Sequence, residues 1–317
     1  MQPSPVPHGR TALRLDWVHL PPMLRRTIEE QCGSAVTSAS SQDSGFTPGF
    51  ASVLHCEDGS DHFVKAASTI AQRPFAEAYR EEARKLAALP EEAPAPRLLW
   101  TVEAYDWFAL STEYVAARAP ARPWQPAELQ SCVDMLVEAA AVLTPPPAGL
   151  ELPPAAEEFA GWPAFWDHLR ASRPELPHLE EAAALAATFA DVTAGSTLVH
   201  TDVRDDNLLL AEDGRVLLCD WNWPMVGAAW LDSLFLLIGP RGDGLDVEEV
   251  ISGHPLLSTV PPEHIDVVLA LIVGYFLKSA GDPVPPTSPF IRDAQRWQGE
   301  VCWDWLCERR GWDRPSI

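Results

Sequence analysis

His200, Asp202 and Asn207 fall in the stretch LVHTDVRDDNLLLAEDGRVLLCDW (198–221) with the spacing His-x-Asp-x-x-x-x-Asn, and Asp220 closes the same stretch. Two carboxylates and an amide in this order suit phosphoryl transfer, which is mostly positioning and charge neutralisation. One carboxylate can accept a hydroxyl proton, while an amide oxygen and a second carboxylate hold magnesium, a cation that prefers oxygen ligands. The chain has only two asparagines, Asn207 and Asn222. Random placement would put one at the required position with odds of roughly 2 in 317, so coincidence is a poor account. Upstream, Lys65 is one of three lysines and lies inside the apolar run HFVKA, where an ammonium group needs a partner.

These side chains can meet only if the surrounding elements bring them together. Around Asp213-Gly214, two apolar strands would form a turn that places Asp202, Asn207 and Asp220 at one end of a small sheet. Lys65 belongs to a predicted hairpin, FASVLHCE (50–57) and HFVKAAS (62–68), joined by Asp58-Gly59-Ser60-Asp61. Before it, WVHLPPMLRRTIEEQCG reads as a helix ended by Gly33, followed by a glycine-bearing loop, SSQDSGFTPGF. After it, residues 74–89 carry Phe75, Tyr79, Ala83 and Leu86 at helical spacing, and strands follow at 97–103 and 107–115. A connector with three prolines, 117–126, marks a boundary between residues 1–116 and 117–317. Beyond it, alanine-rich helical segments dominate: 127–143, 156–170, 179–192, 262–277 and 292–310. The pattern predicts an α+β fold with a small sheet-bearing N-terminal lobe and a larger, mostly helical C-terminal lobe.

The stretch 198–221 resembles the catalytic loop of the aminoglycoside phosphotransferase family, relatives of the protein kinases, and the likeness spans roughly residues 40–240. The resemblance implies a two-lobed kinase-like fold and an ATP- and magnesium-dependent transfer to a small-molecule hydroxyl. It makes Asp202 the base, Asn207 and Asp220 the magnesium ligands, and His200 a support of the loop. It also implies that Lys65 binds the nucleotide phosphates and pairs with Glu82, with Glu81 and Glu77 as competitors. Gly45 and Gly49 resemble the turn that covers the nucleotide, with Ser44 and Thr47 as backbone contacts. STEYVAA (111–117) looks like the hinge, where adenine would meet backbone groups of Glu113 to Val115. Asp232 resembles a position that stabilises the site. Thr201 stands where relatives often carry glycine, and Trp221-Asn222 replaces the Phe-Gly of protein kinases. With no A-P-E segment, a small substrate is favoured over a protein.

Composition narrows the partners. Acidic residues number 45 against 23 basic ones, a formal charge of -22, so nucleic acid is an unsuitable partner. The same excess suits a cationic acceptor such as an aminoglycoside, for which Asp205, Asp206, Asp293, Asp304 and Glu308 are candidate contacts. A choline-like amine, a macrolide or a biosynthetic intermediate is the alternative acceptor, and a nucleotide-binding regulator without catalysis is a further one. Tryptophans at 162, 166, 297, 303 and 305 could wall such a site or simply fill the core. Six cysteines without a C-x-x-C pair read as reduced thiols of a cytoplasmic protein, and no run reaches the ~20 apolar residues that span a bilayer. The spacing of the nine histidines and six cysteines predicts no zinc site, and no G-x-S-x-G turn is present.

Overall fold

Leu54, Val64 and Ala66 on one face of a sheet and Ala67, Phe108 and Leu110 on the other are all buried, because each face is covered by a helix. The computed structural model describes residues 3–8, 11–46 and 49–313. Its N-terminal part contains helix α1 (Pro22–Cys32), strands β1 (Val36–Ser41), β2 (Phe50–Cys56) and β3 (Asp61–Ser68), helix α2 (Arg73–Ala88), and strands β4 (Leu98–Ala104) and β5 (Trp107–Glu113). The strands form one antiparallel sheet in the order β1-β2-β3-β5-β4. Period-two alternation turns even-numbered residues of β3 toward α1 and odd-numbered ones, Lys65 among them, toward α2. On α2, Ala76, Tyr79, Glu82, Ala83 and Leu86 form the buried stripe at i, i+3 and i+4 spacing. Glu82 is thus a carboxylate on the apolar face of its helix.

The hairpin, α2 and the β4–β5 pair match the sequence expectation within a residue or two. The helix expected from Trp17 differs: residues 17–19 make a single 3-10 turn and α1 starts at Pro22. Pro21 and Pro22 cannot donate into a helical ladder, so the chain restarts there with Pro22 in the first turn. Gly33 ends α1 as expected, with φ 78°.

After β5 come the short β6 (Ala117–Arg118) and α3 (Pro126–Val142), and the remainder is mainly helical. Residues 156–170 break into Ala155–Glu158, a 3-10 turn at Trp162–Ala164 and Phe165–Ser172, where Gly161 and Pro163 interrupt the ladder. The helix Pro262–Ala280 is the central apolar post, buried on nearly every side and packed against Ile291–Arg310. Among the described residues no helix is long and apolar enough to cross a membrane. Two small sheets interrupt the helices: β7 (Thr197–Val199) pairs with β10 (Met225–Gly227), and β8 (Leu208–Ala211) lies between β6 and β9 (Val216–Leu218). Asp213-Gly214 turns β8 into β9, with Gly214 at φ 91°.

Candidate active site

Lys65 enters from β3 and meets Glu82 from α2. Its Nζ donates to Glu82 Oε1 at 2.7 Å and Oε2 at 2.9 Å, and to Asp220 Oδ1 at 2.9 Å. Burial alone would depress this ammonium group, yet the Asp220 and Glu82 carboxylates outweigh it and hold its pKa well above the usual lysine range. Asp220 lies just beyond β9, so this contact joins the N-terminal sheet to the helical part. Burial pushes the Asp220 carboxyl up, but Lys65 prevails and holds it below the ordinary carboxylate value.

The loop 200–207 is tied down from three sides. His200 is buried; its Nε2 donates to the Cys219 carbonyl at 3.0 Å, and its Nδ1 accepts the Asp202 backbone N–H at 3.3 Å. Burial lowers its pKa, so the imidazole is a neutral strut between the loop and the end of β9. Asp232 accepts the His200 N–H at 2.7 Å and the Thr201 N–H at 2.8 Å. Thr201 sits at φ 68°, a left-handed conformation unfavourable to a β-branched residue. That conformation is the physical reason glycine suits the position, and here Asp232 supplies the restraint.

Asn207 donates through Nδ2 to the Asp202 carbonyl at 2.9 Å and to Asp202 Oδ2 at 3.0 Å, leaving its own side-chain oxygen free to take a cation. Its backbone carbonyl accepts from the Cys219 N–H at 2.9 Å, which sets Asp220 beside it. Lys65 and Asn222 Nδ2 both donate to Asp220 Oδ1, leaving Oδ2 for a ligand. Asn222 Oδ1 is buried without a hydrogen-bond partner among the described residues. An orphaned oxygen beside the Asp220 carboxylate fits a hard divalent cation. Asp202 itself is pushed above the usual carboxylate range by burial, against the pull of Arg204.

Arg204 was not singled out by its sequence. Its Nη1 donates to Asp202 Oδ1 at 2.5 Å, while Nε and Nη2 bind Asp206 at 2.9 and 3.1 Å. Its place two residues after the candidate base was the one signal that could have drawn attention to it.

Gly45 and Gly49 take φ 84° and 148°. At Gly49 a Cβ would meet the Tyr79 hydroxyl at 2.8 Å, so close approach of that tyrosine is what demands glycine there. The Tyr79 hydroxyl is buried and has no hydrogen-bond partner among the described residues. The Ser44 carbonyl accepts from Arg14 at 2.7 Å and the Gly45 carbonyl from Thr11 Oγ1; Thr47 lies outside the described residues. Glu113 ends β5, with its N–H given to the Arg97 carbonyl and its carboxylate to Arg97 and Arg215. It can therefore offer a ligand only its carbonyl. Val115 is half-buried between β5 and β6.

A cleft adjoins the loop, lined by Phe46, Trp124, Arg204, Asp206, Phe235 and Trp297. The N-terminal segment runs across it, and Val6 offers its carbonyl to Arg122 at 3.1 Å. Four of the five acids expected to meet a cation are already paired: Asp205 with Arg122, Asp206 with Arg204, and Asp304 and Glu308 with Arg241. Asp293 is exposed. Trp166, Trp303 and Trp305 are fully buried core residues, and Trp162 stacks on Tyr275 at 4.2 Å, so the tryptophans form no common cage.

Comparison with known proteins agrees with this architecture. Several solved structures share the fold at low identity. One is an aminoglycoside phosphotransferase from Alicyclobacillus acidocaldarius, 16% identical, with a TM-score of 0.56 over 87% of this chain and 92% of that one. Another is a spectinomycin phosphotransferase in complex with ADP and spectinomycin, 10% identical, with a TM-score of 0.59 over 89% and 97%. A third is described as a fructosamine-3-kinase from Haemophilus somnus, 12% identical, with a TM-score of 0.57 over 88% and 96%. No curated protein matches the chain in sequence. The model of the phosphotransferase enzyme family matches residues 51–253, more than half of the sequence and the part that carries Lys65, Asp202, Asn207 and Asp220, and the chain belongs to that family.

Proposed function

We propose that the chain transfers the γ-phosphoryl group of ATP to a hydroxyl of a small molecule, with a nucleotide-binding lobe at residues 1–116 and a catalytic and acceptor-binding lobe at 117–317. The observation that carries this reading is the single cluster in which Lys65, Glu82 and Asp220 meet beside Asp202 and Asn207. Asp202 takes the proton of the acceptor hydroxyl, and its raised pKa makes it a stronger base than an exposed aspartate. Neutral His200 and Asp232 hold the loop in place. Asn207, Asp220 and the orphaned Asn222 oxygen suit magnesium, which when bound neutralises charge on the phosphate oxygens. Lys65, kept charged and oriented by Glu82, meets the nucleotide phosphates. Gly45 and Gly49 let the main chain lie over them, while the Glu113 carbonyl and the Val115 backbone face the adenine.

The cleft favours an acceptor with an apolar or aromatic face, because two of its three lining carboxylates, Asp205 and Asp206, are already paired with Arg122 and Arg204, and the third, Asp243, accepts the Trp124 N–H. An aminoglycoside-type antibiotic is the second reading, favoured by the net charge of -22 and by the spectinomycin complex of a structural neighbour. ADP release measured against aminoglycosides, macrolides and choline-like amines, with and without magnesium, separates the two. Turnover confined to aminoglycosides overturns the preference for an apolar-faced acceptor. A folded chain that neither binds ADP nor is stabilised by magnesium and ATP overturns the phosphotransferase roles.

A further inference from the structure

Away from the cleft, Cys32 at the end of α1 and Cys56 at the end of β2 meet His62 on β3. The two sulfurs and one ring nitrogen lie within 4.8 Å of one another. The register explains the meeting. His62 pairs with Leu54 across the β2–β3 ladder, so both face α1, and Cys56 is two residues beyond Leu54 on the same face. Gly33 turns the chain away immediately after Cys32. Neighbours in space, the three are scattered in sequence, which is why spacing predicted no zinc site.

The hydrogen bonds around His62 prepare one nitrogen for a cation. Ser60 Oγ donates its only proton to Asp58 Oδ1 at 2.7 Å, so toward His62 Nε2, at 3.1 Å, it can only accept. The proton therefore sits on Nε2 and Nδ1 keeps a bare lone pair. That Nδ1 is buried and has no hydrogen-bond partner among the described residues. Fixing a histidine tautomer through the far ring nitrogen is how proteins orient a metal-binding imidazole. Glu29 and Asp58 add negative charge around Cys32.

We propose that Cys32 Sγ, Cys56 Sγ and His62 Nδ1 form a site for a thiophilic divalent cation, with zinc the best fit. At zinc–sulfur bonds of ~2.3 Å, tetrahedral geometry sets the two sulfurs about 3.8 Å apart, within reach of the observed cluster. The fourth position is left to solvent, which reaches the half-buried Cys32 and His62. On binding, each thiol releases its proton to solvent and its sulfur forms one bond to the cation, with no change of oxidation state. The ion would clip α1 to the β2–β3 hairpin. His62 pairs with Glu113 and lies on the strand that carries Lys65, so the clip would stiffen the frame of the proposed nucleotide site without touching it.

The full chain, stripped by a chelator and kept reduced with a phosphine, is titrated with cobalt(II) and then zinc(II). One equivalent of cobalt should bind with a thiolate-to-cobalt charge-transfer band and tetrahedral visible bands, and one equivalent of zinc should erase both. Zinc should also raise the melting temperature of the unmodified chain. Cys32→Ser and His62→Gln should each weaken cobalt binding at least tenfold. No charge-transfer band in the unmodified chain overturns the proposal, and this needs no variant to fold. A band of full strength in a folded Cys32→Ser chain places the ion on other cysteines and overturns it equally.

Discussion

Replacing Asp202 by asparagine and by alanine separates its chemical role from its structural one. The carboxylate accepts two donors at once, Arg204 Nη1 on Oδ1 at 2.5 Å and Asn207 Nδ2 on Oδ2 at 3.0 Å. An amide has one oxygen, so in either orientation asparagine turns its NH₂ toward a donor. An unmade hydrogen bond in this setting costs about 1–3 kcal/mol. Alanine avoids the clash, because Arg204 keeps Asp206 and Asn207 Nδ2 keeps the Asp202 carbonyl. Asp202→Asn should therefore unfold at a temperature a few degrees lower than Asp202→Ala, although asparagine is the closer match in shape. Both should lose turnover by about 10²–10⁴-fold, the usual contribution of a positioned base. Both should keep nucleotide affinity, since Lys65, Glu82 and Asp220 are untouched. Thermal unfolding, ADP release and calorimetric titration of ADP read the three quantities. Undiminished turnover in Asp202→Asn places the base elsewhere, and an asparagine variant more stable than the alanine one refutes the two-donor geometry.

Two further outcomes follow from the same contacts. Lys65→Met strands the buried Glu82 and Asp220 carboxylates, so stability should fall by about 3–5 kcal/mol in denaturant unfolding. Adding Glu82→Leu should recover part of that loss without restoring nucleotide binding, and no recovery would mean that Glu82 is not the partner that matters. Because burial holds the Asp202 pKa above that of an ordinary aspartate, against the lowering pull of Arg204, the rate should fall on acidification at a higher pH than an exposed aspartate would give. Arg204→Gln should move this acid limb to higher pH, read from kcat/KM against pH, and a limb that stays put or moves down excludes direct influence of Arg204 on the base.

Sequence disclosed the parts of this molecule in which local chemistry and tertiary demand coincide. The Asp58-Gly59 and Asp213-Gly214 turns and the α2 stripe carry their geometry in short patterns, and the structure has them as expected; the spacing within 200–220 marked residues that the structure brings together around Asp202. Strand β1 was missed because VTSASS has no apolar alternation; it is an edge strand, partly exposed on both faces. The pairing of Asp205, Asp304 and Glu308 with arginines could not be foreseen, since Arg122 and Arg241 lie far from them in the chain, whereas the partner of Asp206, Arg204, stands only two residues away. The Cys32, Cys56 and His62 cluster was hidden for the same reason. Contacts made across strands and between elements leave no mark on residue spacing.

The first dozen described residues touch both sides of the proposed reaction. Thr11 and Arg14 hold carbonyls of the glycine-bearing loop, while Val6 takes the Arg122 that also binds Asp205 at the wall of the cleft. In the proposed reaction, a strap shared in this way would make the affinities of the two substrates interdependent. Whatever tightens it on one side alters its fit on the other, and thermodynamic reciprocity requires the coupling to be equal in both directions. Kinetics of this protein should accordingly be fitted with an interaction factor between nucleotide and acceptor, not with two independent binding constants.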